Sequence, residues 1–408
     1  MIAFFAMRAD GHFRRLLPLI EGVVRRGARA VVYTDPRFAP EVARAGGECV
    51  DLFAGRPADG GDPESFPRGV QAVTFAGRHA DVITAQVSAL KPALVIHDTQ
   101  AVIGRVVAAK LGIPAVNVCA GHNVTPERFQ PLLAADPRVV VSDRCRSAVE
   151  LLRDRHGIAD ASPFCYVGGI SPHLNVYCEP PEFLDPAERR PFEPVAFFGS
   201  VRIADASPAA AAVFTNPTDL KVYVSLGTVA WRSYPAEALA ALRVITSALA
   251  RRPGTESVIS LGGAPLAPEV AESLAAPNVH VKPYVDQAAV LARADLFVTH
   301  HGLNSTHEAI WHRVPMLSCP FFWDQPGLAA KCQALGIAVP LVGAPRDLPT
   351  EAGVLAAVDR VVADRAGFRA RLDVARGYEE KVMAGRDAVL DRILALAAAG
   401  APPSRRPA

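Results

Sequence analysis

Residues 284–325 read YVDQAAVLARADLFVTHHGLNSTHEAIWHRVPMLSCPFFWDQ. The apolar run at 295–300 is short enough to be a strand, and Gly302 marks a turn after it. A helix is expected to start near Asn304 and Ser305. The first turn of a helix leaves backbone N–H groups unpaired at the positive end of a dipole, which suits a phosphate. His300, Asn304, Ser305 and Thr306 add side-chain donors at that end. Glu308 follows one turn later, and the acid–amide pair Asp324–Gln325 follows the next strand. Donors for phosphate, a carboxylate for a ribose and a polar pair for sugar hydroxyls together fit a nucleoside diphosphate sugar.

Outward from this stretch, short apolar runs alternate with helical segments rich in Ala, Leu and Arg. The first half offers strands at IAFFAM (2–7), ARAVVYT (28–34), ALVIHD (93–98) and AVNVC (115–119). The second half restarts with KVYVSLGT (221–228), SVISLGG (257–263), VHVKPYV (279–285), LFVTHHG (296–302) and PMLSCP (315–320). Continuous apolar strands with helical crossovers predict an α/β chain with two parallel sheets. A helix is expected at 14–27, closed by Gly27, and another at 386–400. The stretch ADASPAAAAVFTNPTD (204–219) reads as an interdomain linker, and GRPADGGDPESFPRG (55–69) as a surface loop. His12 follows Gly11 in the turn after the first strand, and Asp98 ends a later strand. Both fall at the C-terminal edge of the first sheet, where open α/β sheets bind ligands. His97 alternates to the opposite face and reads as packing.

The 284–325 segment resembles the signature of the UDP-glycosyltransferases, the family of plant secondary-product, macrolide and glucuronosyl transferases. That family has the GT-B fold, two Rossmann-like domains facing a cleft with a last helix that crosses back. The matching residues are His300, Gly302, Asn304, Ser305, Glu308, Asp324 and Gln325, at the family's spacing. The resemblance implies that Tyr284 stacks on the base and Gln287 meets the ribose or base. Asp286 stands where the family usually has Pro, and His301 where it more often has Gly or Cys. The SLGT turn (225–228) resembles the family's phosphate loop and implies a donor contact for Thr228. By the same resemblance His300 meets the diphosphate, and Asp324 and Gln325 meet the hexose hydroxyls. The family also has a Gly-His turn and a strand-end Asp where His12 and Asp98 stand, and LVIHD is close to the bacterial macrolide-type members.

An acceptor hydroxyl is a poor nucleophile at neutral pH, and an imidazole can take its proton as the new bond forms. A carboxylate on the other ring nitrogen would fix the tautomer and stabilise the imidazolium. His12 is therefore expected as the base and Asp98 as its partner. The acceptor is expected in the first domain, with Phe75, His79, His122, Asn123 and Phe129 as candidates. Domains are expected at 1–204 and 220–385, with a linker at 205–219 and a terminal helix and tail at 386–408.

The 408 residues suit two domains, and a formal charge of +2 gives no electrostatic case for nucleic acid. Seven scattered Cys without a CxxC suggest reduced thiols rather than a disulfide framework or zinc site. The His residues between 300 and 312 lack the spacing of a metal face, and the donor segment has no Asp-x-Asp. No cofactor or metal is expected beyond a UDP-sugar co-substrate. The start reads as a strand rather than a signal peptide, and no apolar run spans a bilayer. A cytoplasmic monomer or homodimer acting on a small lipophilic alcohol or phenol is the expectation. The alternatives are a dTDP-sugar enzyme, a nucleotide-sugar epimerase and an inactive nucleotide-sugar-binding partner protein. A nicotinamide dehydrogenase is disfavoured, because no GxGxxG follows the first strand.

Overall fold

The computed structural model describes residues 1–201, 213–264 and 266–400. The chain divides into two units, Met1–Gly199 with Val382–Ala408, and Ser200–Lys381. The first unit begins β1 (Ile2–Phe5), α1 (Asp10–Arg25), β2 (Ala30–Thr34), α2 (Ala39–Arg44) and β3 (Glu48–Asp51). It continues α3 (Arg68–Ser88), β4 (Leu94–Asp98), α4 (Val102–Leu111), β5 (Ala115–Cys119), α5 (Pro126–Ala135) and α6 (Asp143–Asp154). Strands β6 (Leu174–Tyr177) and β7 (Val195–Phe197) close its sheet. The second unit begins β8 (Leu220–Ser225), α7 (Gly227–Ser233), α8 (Pro235–Ala250), β9 (Thr255–Ser260), α9 (Pro268–Ser273) and β10 (Val279–Lys282). Next come α10 (Gln287–Leu291), β11 (Leu296–Thr299), α11 (Leu303–Trp311), β12 (Met316–Ser318) and α12 (Gln325–Ala334). It ends with β13 (Ala338–Pro340), α13 (Glu351–Ala363) and α14 (Arg365–Ala384), and α15 (Arg386–Gly400) belongs to the first unit.

Both sheets are parallel. Their orders are β3-β2-β1-β4-β5-β6-β7 and β10-β9-β8-β11-β12-β13. Each reverses direction once, between β1 and β4 and between β8 and β11. The crevice at such a reversal, beyond the carboxyl ends of the strands, is where open α/β sheets take ligands. Central strands such as β4 are buried along their whole length, which is why they read as continuous apolar runs.

Four strands escaped the sequence reading. In β3 (ECVD) exposed and half-buried residues alternate, as befits an edge strand, and β7 and β13 are three residues long. β6 (LNVY) is fully buried but carries Asn175. The loop at 55–69 is also not merely superficial. Asp62 is buried and its carboxylate accepts from Thr74 Oγ1 at 2.7 Å and Ser142 Oγ at 2.8 Å, tying the loop to α3 and to the N-cap of α6. The division between units falls at residues 199/200 and 381/382, rather than at 204 and 385. Most of the expected linker lies outside the described residues. Its described end is held to the second unit by Glu256, whose carboxylate accepts from the backbone N–H groups of Thr215 and Asn216.

The last helix joins the first unit as expected. Leu390 of α15 packs over Gly22 of α1, where a Cβ would overlap its side chain. Arg26 reaches Asp387 at 2.7 Å and Asp391 at 3.2 Å. Among the described residues no helix is long and apolar enough to cross a membrane.

Candidate functional site

In the first unit the strand reversal is flanked by the two residues that the sequence singled out. His12 lies in the first turn of α1, after β1, rather than in the turn before the helix. Asp98 is the last residue of β4. His12 Nδ1 lies 2.9 Å from Asp98 Oδ1, with the imidazole 22% exposed and the carboxylate 1%. A carboxylate can only accept, so the proton belongs on Nδ1 and the lone pair on Nε2. Asp98 Oδ2 is buried without a partner among the described residues, so His12 is what satisfies this carboxylate. His97 is packing, as expected. It is buried, its Nδ1 faces the Asp98 carbonyl, and burial lowers its pKa to about 4.

In the second unit the reversal is flanked by the 225–228 turn and by His300. The His300 ring lies against Gly227 and Gly302, and a Cβ at either position would overlap it. Gly227 also has φ +73°, a conformation few side chains tolerate. His300 is 8% exposed, and burial lowers its pKa to about 4, so it is neutral here. It can therefore offer a hydrogen bond to a phosphate but brings no ready positive charge. His301 locks the turn in a left-handed conformation (φ +59°). Its Nε2 lies 2.8 Å from Ser318 Oγ and its Nδ1 3.2 Å from Thr306 Oγ1. Thr306 thus points into the protein, not toward a ligand. The N-cap of α11 is Gly302, with no side chain to cap the first turn. Thr228, Asn304, Ser305 and Glu308 are half-buried near these strand ends.

Two amides are used differently from the expectation. Gln287 Nε2 donates to Glu308 Oε2 at 2.7 Å and to Ser305 Oγ at 3.1 Å, while its Oε1 accepts from Tyr223 at 3.3 Å. With both amide hydrogens committed, Gln287 orients Glu308 and Ser305. Gln325 Oε1 accepts from the backbone N–H of Phe321 at 2.9 Å and Phe322 at 3.3 Å, so its carbonyl shapes the turn. Asp324 is the N-cap residue of α12. Asp286, where Pro was usual, caps α10 through the Ala289 N–H. Tyr284 is 61% exposed, with an aromatic face open to stacking.

Residues 185–372 match the family described as UDP-glucoronosyl and UDP-glucosyl transferase. Oleandomycin glycosyltransferase of Streptomyces antibioticus is 29% identical, over 83% of this chain and 78% of its own length. NDP-glycosyltransferase YjiC of Bacillus subtilis (strain 168) is 25% identical, over 89% of each. The crystal structure of the glycotransferase of kitacinnamycin superposes with a TM-score of 0.74 at 25% identity, covering 97% of this chain and 98% of that one. The chain is thus similar to the UDP-glycosyltransferases. Its fold is GT-B, and the two strand reversals carry the residues through which it resembles the family.

The acceptor candidates divide. Phe75 lines a small apolar pocket with Met7, Leu52, Phe53, Val102 and Ile103, on the same sheet edge as His12. His79 packs on the Phe75 ring, 4.9 Å between centroids, and burial lowers its pKa. His122 and Asn123 are buried in an internal network. His122 Nδ1 meets Glu179 Oε2 at 2.9 Å, the Asn123 N–H donates to Tyr177 Oη at 3.0 Å, and Tyr177 Oη donates to Asn123 Oδ1. Phe129 is buried on α5. Met7, Phe53 and Val102, which share this pocket with Phe75, were not among the sequence candidates.

Proposed function

We propose that this chain is an inverting glycosyltransferase that moves a hexose, with UDP-glucose as the first candidate donor, to a hydroxyl of a small lipophilic natural product. His12 is the general base. The observation that carries this reading is the 2.9 Å contact between His12 and the buried Asp98 at the strand reversal. Nε2 takes the acceptor proton as the acceptor oxygen attacks the anomeric carbon. The bond from that carbon to the diphosphate breaks on the opposite face, so an α-linked donor yields a β-glycoside. Asp98 stabilises the imidazolium that results.

The donor is read onto the second unit. The uncapped first turn of α11, Thr228 and His300 would face the diphosphate. Glu308 would meet the ribose, Tyr284 the base, and Asp324 with the Gln325 amide the sugar. Charge on the leaving diphosphate is then met by fixed dipoles and donors of the chain, without a divalent ion. The apolar pocket beside Met7 and Phe75 supports a lipophilic acceptor, as do relatives named for oleandomycin and kitacinnamycin.

A dTDP-sugar is the second reading, favoured by a relative whose name, NDP-glycosyltransferase, leaves the base open. Product formation from UDP-glucose and dTDP-glucose, over a panel of phenols and macrocyclic alcohols and with or without EDTA, tests both. His12→Ala should lower kcat by about 10²-fold or more with nucleotide affinity unchanged. Transfer at near wild-type rate in that variant would remove His12 from the mechanism.

A further inference from the structure

His307 lies on α11, beside Glu308 and away from the proposed transfer chemistry. It is fully buried, and its Nδ1 is 2.5 Å from Oε1 of Glu379 on α14, which is equally buried. Two further contacts follow in opposite order, one from the end of α11 and one from two residues past it, both to α14. Arg376 lies over the Trp311 ring, 4.5 Å from its centroid, and Arg313 pairs with Asp373. Helix α14 therefore runs antiparallel along α11. A buried carboxylate must keep its partner or remain uncompensated, so the His307–Glu379 contact acts as a distance constraint rather than as generic adhesion. Apolar side chains could hold the two helices together but would tolerate sliding. A single hydrogen-bonded pair does not.

We propose that His307 and Glu379 are positioning residues for the donor site. The pair sets α11 along α14, and with it the placement of Asn304, Ser305 and Glu308. This rests on reading α11 as the donor helix. Its consequence is that a change at Glu379, on a different helix from the donor residues, alters donor affinity.

Calorimetry with UDP and dTDP on the full chain, well below its Tm, tests the proposal. Glu379→Gln keeps an oxygen acceptor for the His307 N–H and should bind within about twofold of wild type, whereas Glu379→Ala should bind roughly tenfold more weakly. A purely structural role would lower the Tm of Glu379→Ala and leave the affinity of the folded protein unchanged. That result overturns the proposal. Should Glu379→Ala fail to fold, Glu379→Asp serves instead, since it keeps the charge but shortens the reach by one methylene. Equal affinity of Glu379→Asp and wild type would likewise overturn it. A wild type that binds neither nucleotide overturns the donor-site reading and this inference with it. A wild type that binds, matched by its variants, overturns this inference alone.

Discussion

Gly302 illustrates how little room the second strand reversal leaves. Its φ of −61° suits any residue, so a substitution there tests space and not backbone strain. A Cβ would overlap His300, the residue proposed to meet the diphosphate. Gly302→Ala should therefore weaken UDP binding by roughly tenfold, a loss of about 1.4 kcal/mol, with Tm close to wild type. Unchanged affinity in a titration would show that His300 does not depend on this cradle. The residue types at this turn were legible in the sequence, because a strand, a Gly turn and an amide–hydroxyl pair are local patterns. The commitments of Gln287 and Gln325 were not. Both looked like ligand contacts, yet Gln287 is bonded to Ser305 and Glu308, 18 and 21 residues away, and Gln325 to the backbone of its own turn.

At the scale of elements, helix α15 is the part whose role depends most on what it meets. Its buried residues Val389, Leu390 and Ile393 and the contact at Gly22 place it on α1, the helix that carries His12. The Arg26 pairs with Asp387 and Asp391 are largely exposed and contribute little. The apolar contact should dominate, since burying a Leu or Ile side chain is worth about 1.5–3 kcal/mol. Ending the chain after Gly385 should lower the stability of the first unit and expose apolar surface to a dye. Urea unfolding monitored in both units would register this as an earlier first transition. Identical curves would mean that α15 is dispensable for the first unit. The pattern of this helix was readable at 386–400, but no sequence feature named α1 as its partner.

For the whole molecule, the balance of buried histidines fixes the response to acid. Burial lowers the pKa of His97 and His300 to about 4 and that of His301 to about 3. Unfolded, each would titrate near 6.5. Between those values the unfolded chain holds more protons, so stability falls as the pH drops below about 6.5, by about 1.4 kcal/mol per pH unit for each histidine in its window. His97 belongs to the first unit and the other two to the second, so both should weaken. Thermal unfolding from pH 8 to pH 4.5 checks this, and a flat Tm across that range would contradict the buried neutral state. Above pH 7 the three contributions are fully present.

The sequence by itself determined the fold class, the two parallel sheets and the strand ends at which His12, Asp98 and His300 stand. It could do so because buried parallel strands and Gly turns are written in adjacent residues. Tertiary structure alone decided which polar groups satisfy one another. Beyond the His12–Asp98 pair that the sequence had already suggested, it gave Glu179 to His122, Glu379 to His307 and Asp62 to Ser142, pairs separated by 57 to 80 residues. A buried donor or acceptor must find its partner wherever the fold brings one within about 3 Å, and nothing local in the chain specifies that distance.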